Sequence, residues 1–163
     1  MNGVTLTLRA LHHGERHLAG HLTAVAERHR TEHEIHYVSL DLARWSHAHV
    51  QRLADIAGHY GPDLAESSAA SLPHPLSTLT KKASERMAHR PEPGLLLLRD
   101  LRELHLAATE NSLYWEMLAQ AAQATKDDAL LDLASACHPE TLRQTRWTNT
   151  MIKNLAPQIL TSL

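Results

Sequence analysis

The chain has 163 residues, 43% of them hydrophobic and 21% charged, with a formal charge of -2. That length buries a substantial core without staples, and that composition excludes wholesale disorder. The near-neutral balance lacks the basic stripe of a dedicated nucleic-acid binder. One cysteine, Cys137, excludes an intrachain disulfide framework and a multi-thiolate metal site.

Between Val4 and Gly58 no proline occurs, and only Gly14 and Gly20 interrupt good helix formers. Arg28-His29-Arg30-Thr31 breaks this block, with Thr31 and Glu34 in the spacing of a capping box. Two helices are therefore expected, over about 4–29 and 32–58. A connection follows over about 59–94, marked by Gly61-Pro62, Pro73, Pro75, Pro91 and Pro93-Gly94, with a short helix expected from Ser77 to Ala88. From Leu95 onward only Pro139 interrupts before Leu155, and Lys126-Asp127-Asp128 divides the block. Helices are expected over about 95–125 and 128–155, the last kinked at Pro139. Strand-like alternation is absent, so the fold is all-α. Short links make each pair an antiparallel hairpin, and the long connection acts as a crossover between the hairpins of a single-domain four-helix bundle, 1–163. No apolar run reaches the roughly 18 residues of a membrane span. The start, Met1-Asn2-Gly3-Val4, lacks the basic flank and apolar stretch of a signal peptide, so a cytoplasmic protein without membrane or nucleic-acid partners is expected.

Seams written at three- and four-residue steps carry polar residues at mid-length. Helix 1 gives Val4, Leu8, Leu11, Glu15, Leu18, Leu22 and Val25; helix 2 gives Ser39, Leu42, Ser46, His49, Leu53, Ile56 and Tyr60. Helix 3 gives Leu106, Glu110, Leu113 and Met117; helix 4 gives Leu130, Leu133, Cys137, Glu140, Gln144, Trp147 and Met151. A carboxylate in a dry seam requires a partner, a proton or a metal, which singles out Glu15, Glu110 and Glu140. Folding each hairpin at its turn sets Glu15 beside Ser46 and His49, and Glu110 beside Glu140 and Arg143. Each half then holds one mid-helix Glu and one polar i, i+3 pair on a common face.

In this pattern the chain resembles the ferritin-like superfamily, the rubrerythrins and other di-iron carboxylate proteins, which place a Glu on each of two helices and a Glu-x-x-His on the other two. The resemblance implies that Glu15 and Glu110 are the single carboxylates and that His49 and Glu140 survive from the two motifs. The helix 2 motif reads Ser46-His47-Ala48-His49 and the helix 4 motif Glu140-Thr141-Leu142-Arg143, so Ser and Arg replace two ligands. Arg cannot ligate and Ser ligates poorly. The expected outcomes are one or two Fe or Mn ions held by Glu15, His49, Glu110 and Glu140, with redox or oxygen chemistry, or no metal and a polar core in which Arg143 supplies the positive charge. His12, Ser46 and Tyr114 are expected around the ligands. The metal-free alternative is a binding or assembly module.

Fourteen histidines, ten in the first 60 residues, raise a third reading, a pH-responsive surface. His13, His17 and His21 form an outward ladder at i, i+4, i+8 that takes Zn, Ni or Cu adventitiously. Trp45, Trp115 and Trp147 are expected to fill the core. A second apolar stripe on helix 3, Leu97, Leu101, Leu104 and Ala108, is expected to serve a homo-oligomer, a dimer, or to lie under the crossover. The sequence names no protein partner.

Overall fold

A computed structural model of the protein describes residues 2–61 and 92–163. Four helices and no strand occur among them: α1 Gly3–Arg28, α2 His33–Ala57, α3 Pro93–Thr125 and α4 Asp128–Thr161. The short helix expected from Ser77 to Ala88 and most of the expected crossover lie outside the described residues.

Local chemistry sets most of the ends. Asn2 caps α1 by accepting from the Thr5 amide at 2.9 Å, and Glu92 caps α3 by accepting from Leu95 at 2.8 Å, with Pro93 opening the first turn. Lys126 stops α3 in the left-handed region, φ 56°, and Asp127 at once caps α4 through the Leu130 amide at 3.0 Å. The capping box expected at Thr31 and Glu34 does not form. Glu32 occupies the N-cap of α2 without a side-chain cap, because the turn places the helix start one residue later. Helix α4 runs on to Thr161 through both Pro139 and Pro157. Each proline removes one backbone donor, which is insufficient to end a helix packed against α3 along its length.

The hairpins α1–α2 and α3–α4 are antiparallel, and α1 also packs on α3, while α2 and α4 touch sparingly. At one end the last turn of α1 meets α3 about two turns from its start, where Arg28 and His29 bond Asp100. At the other, Tyr60 after α2 donates to Asp127 at the α3–α4 turn. Gly61 and Glu92 therefore stand at opposite ends of the bundle. Gly14 allows α1 and α3 close approach: an added Cβ would lie 2.2 Å from Asn111 Oδ1.

The core is divided. One apolar cluster, including Leu8, Leu11, Leu53, Trp115, Leu118 and Leu130, fills the end nearest Tyr60. A second, including Leu18, Leu22, Ile35, Leu42, Leu101 and Leu104, fills the other. Between them lie buried polar residues from all four helices: Glu15, Ser46, His49, Asn111, Thr141 and Gln144. The α1, α2 and α4 seams face inward as expected from their periodicity. On α3 the expectation is reversed. Leu106, Leu113 and Met117 are 60%, 55% and 51% exposed, and the buried stripe is Leu97, Leu101, Leu104, Ala108, Trp115, Leu118 and Ala122. Both stripes have helical period, and the longer one wins because it removes four leucines and the full face of Trp115 from water, and the one carboxylate it buries, Asp100, is paired with Arg28, His29 and Arg99.

Candidate functional site

The polar layer is built around His49. Its Nδ1 donates to Glu15 Oε1 at 3.1 Å, and Trp115 Nε1 donates to the same oxygen at 2.9 Å. The Trp115 ring stands edge-on to the imidazole, centroids 5.8 Å apart at 81°, and so fixes its plane. The other ring nitrogen, Nε2, lies 3.6 Å from Glu140 Oε1. That gap exceeds a hydrogen bond. Glu15 and His49 are wholly buried, whereas the Glu140 side chain keeps 28% of its surface. Glu140 thus forms the wet edge of the layer.

Ser46 and Gln144 close the layer between α2 and α4: Gln144 Nε2 donates to Ser46 Oγ at 2.9 Å and to the Leu42 carbonyl at 3.1 Å. Within this layer four buried polar atoms lack a hydrogen-bond partner: Glu15 Oε2, His49 Nε2, Gln144 Oε1 and Asn111 Nδ2. With Nδ1 carrying the proton toward Glu15, three of the four are lone-pair donors. A neighbouring cation is held elsewhere. Burial pushes the Cys137 thiol up to about 11, although Arg52, which hydrogen-bonds its sulfur, opposes the shift; Glu15 and Glu140 add to it.

Of the expected ligands, Glu15 and Glu140 flank His49 on its two ring nitrogens without converging on one point, and Glu110 lies apart. Glu110 sits on the outer surface, lining a groove between α1 and α3 with His13, His17, Asn111 and Tyr114. The cause is the stripe reversal on α3. Its level along the bundle is as counted, since His105 bonds Thr148 and Ser112 bonds His138, but the helix presents its other face to the core. Tyr114 follows Glu110 into the groove and Ser46 belongs to the layer. Arg143 is exposed, which overturns its expected role as the layer's positive charge. His12 is half-buried, its pKa lowered by burial and by Arg16 and His13, and takes no part in the layer's hydrogen bonds. The sequence reading missed Trp115 as a donor to Glu15 and Arg52 as the nearby guanidinium. Arg52 follows His49 by three residues, a spacing that puts both on one helical face.

The residues fit one ion better than two. A dinuclear site would need Glu110 in the core and ligands at positions 46 and 143, where Ser46 is already bonded to Gln144 and Arg143 faces water. A single ion would meet a buried imidazole nitrogen, oriented by a carboxylate on the opposite ring nitrogen, with a second carboxylate near it. Elsewhere among the described residues, His21, Asp100 and Glu103 bring ligand atoms within 4.8 Å of one another. Arg28 and Arg99 already hold Asp100, so a cation would enter there against two guanidinium groups.

No helix of the described residues is long and apolar enough to cross a membrane. Comparison with protein-family models, curated proteins and solved structures finds no match.

Proposed function

We propose that the chain is a ferritin-like bundle whose mid-layer binds a single divalent ion, Fe(II) or Mn(II), through His49 Nε2 and Glu140, with Glu15 orienting the imidazole. The observation that carries this reading is the buried His49 Nε2, which lacks a hydrogen-bond partner and stands 3.6 Å from a carboxylate while Nδ1 is anchored on Glu15. A metal-ligating histidine ordinarily donates its other N–H to a carboxylate in this way. Imidazole with carboxylate is a donor set that iron and manganese accept. The long crossover and antiparallel hairpins support the ferritin-like assignment, and the replaced ligands support one ion in place of two.

A bound Fe(II) or Mn(II) with open positions would supply redox or oxygen chemistry. The chain's own contribution is to hold the imidazole edge-on to Trp115, keep the Glu15 side dry and leave Glu140 facing water. A second reading rests on Arg52. Its exposed guanidinium opposes the rise of the Cys137 thiol and so brings positive charge to the edge of the layer without an ion. His49 would then carry a proton between Glu15 and Glu140, and the bundle would act as a metal-free assembly module.

Elemental analysis of tag-free protein after anaerobic loading with Fe(II) or Mn(II) separates the two. The metal reading expects about one ion per chain, lost in His49→Gln and Glu140→Gln and kept in Glu110→Gln, because Glu110 lies outside the layer. No retained ion, with all variants folded, would establish the metal-free bundle. Retention of Zn or Ni that disappears only in His13→Ala/His17→Ala would trace the metal to the surface ladder and reject the layer site.

A further inference from the structure

We propose that a second copy of this chain covers the outer face formed by α1 and α3, with a two-fold axis running along the helices so that α1 of each copy lies against α3 of the other. The proposal is independent of the metal reading. It begins with the reversed stripe. Leu106, Leu113 and Met117 project from α3 with 51–60% of their surface exposed, and Leu6 on α1 is 54% exposed. A helix that carries one complete apolar stripe inward and another outward has more apolar surface than a single bundle covers.

The levels of the two helices fix which partner this face accepts. His21 meets Glu103, Gly14 touches Asn111, and Met117 lies in one groove with Val4 and Thr7. These pairs place His17 and His13 opposite the stretch from Ala107 to Tyr114, as the residues lining the central groove show. An axis parallel to the helices exchanges α1 for α3 and keeps every residue at its own level. Glu110 of each copy then meets His13 and His17 of the other, a carboxylate against imidazoles, twice over. Met117 meets the partner's Leu6 region, and Leu106 meets the surface at Gly20, where nothing lies within 4 Å of an added Cβ. The groove between the helices, a cavity of about 340 Å³ floored by Ala10, Gly14 and Ala107, receives Leu113. The face is thus complementary to itself in shape, apolarity and charge, as an isologous interface requires. A partner of different sequence would have to reproduce all of these features.

Sedimentation equilibrium of the full tag-free chain at neutral pH is the test. The expected species has twice the chain mass of 18.2 kDa. Leu113→Glu is expected to give monomer with unchanged helical circular dichroism, since Leu113 makes no part of the core. Glu110→Lys is expected to weaken dimerisation roughly ten-fold, since at each of the two contacts it replaces an acceptor for the partner's imidazole N–H with a donor. Mixing Glu110→Lys chains with His13→Glu/His17→Glu chains is expected to restore a heterodimer. Leu160→Glu, on an exposed site near the end of α4, is expected to leave the dimer intact. A wild-type monomer at every concentration overturns the proposal. So does a dimer that survives Leu113→Glu, or one broken by Leu160→Glu.

Discussion

Asp100 and Glu15 are carboxylates with no exposed surface, and the chain surrounds them differently. Asp100 Oδ2 accepts from Arg28 at 2.6 Å and from His29 at 2.8 Å, and Oδ1 from Arg99 at 3.2 Å. Burial alone would raise its pKa, but the hydrogen bonds from His29 and Arg28, with the Arg28 charge and Arg99, outweigh it and hold the carboxyl below its ordinary range. Glu15 instead places two neutral-type donors, Trp115 and His49, on one oxygen and leaves the other bare. Asp100 ties the α1–α2 turn to the start of α3, and its oxygens are occupied by its own chain. Glu15 stands in a layer whose bare atoms are mostly lone-pair donors, where the chain supplies the bases and omits the acid. Complete satisfaction marks a structural carboxylate, and incomplete satisfaction marks a place where something else is expected to bind.

The sharpest way to break this comparison is Asp100→Asn. It leaves Arg28, His29 and Arg99 facing an amide, and removing one partner of a buried charge cluster costs about 3 kcal/mol, at the low end of the range because Arg28 and Arg99 are each 41% exposed. Urea unfolding measures it. The same site sets an acid limb. The Asp100 pKa is depressed in the folded state, so its contribution is complete above the unfolded value of about 3.9 and is lost as pH falls through the lower folded value. Wild-type protein is expected to lose stability on acidification below about pH 4 more steeply than Asp100→Asn. Equal slopes would show that Asp100 is not the clasp its geometry indicates.

The Glu15 half of this contrast is legible in the sequence and the Asp100 half is not, for a physical cause. On α1 and α2 one apolar stripe stands against a polar remainder, so periodicity alone places Glu15, Ser46 and His49 inward, and counting from the turn sets them level. On α3 apolar residues occupy two stripes. Period 3.6 is satisfied by Leu106, Leu113 and Met117 as well as by Leu97, Leu101, Leu104 and Trp115. Choosing the first stripe carried Glu110 into the core and Arg143 toward it, and hid Asp100, which lies between Leu97 and Leu101 on the buried side. The deciding quantity is total area buried across four helices, which no window on one helix contains. Trp115 carried the usable signal, because a Trp at the same level as an inward Glu has an N–H that needs an acceptor.

Trp115→Phe tests the Glu15 side with an intermediate effect. Phe retains most of the apolar contact and the edge-on face toward His49 but removes the Nε1 donor. Glu15 Oε1 is then left to His49 alone, in a layer already holding a bare Oε2. Losing a hydrogen bond to a buried charged group costs about 2 kcal/mol, measurable by urea unfolding at constant m. A cost near zero would mean that the Glu15 carboxylate already has its needs met by groups other than Trp115, and the contrast with Asp100 would lose its basis.

Glu15→Gln has the smallest expected effect on stability and separates structure from binding most directly. The amide has the carboxylate's volume, and its oxygen still accepts from Trp115 and His49. What disappears is a buried negative charge that the layer compensates only in part. Replacing such a charge with a neutral isostere is close to neutral, so the metal-free protein is expected to change by less than about 1 kcal/mol. Metal affinity is expected to fall about 10- to 100-fold, because a neutral amide on Nδ1–H no longer strengthens the imidazole as a ligand. Asp100→Asn should do the reverse, lowering stability while the retained ion stays at wild-type stoichiometry in the folded fraction. If Glu15→Gln proved as costly as Asp100→Asn, Glu15 would have to be paired with a full positive charge inside the folded chain. A protonated His49 is the group placed to provide it, and the metal-free reading of the layer would then follow.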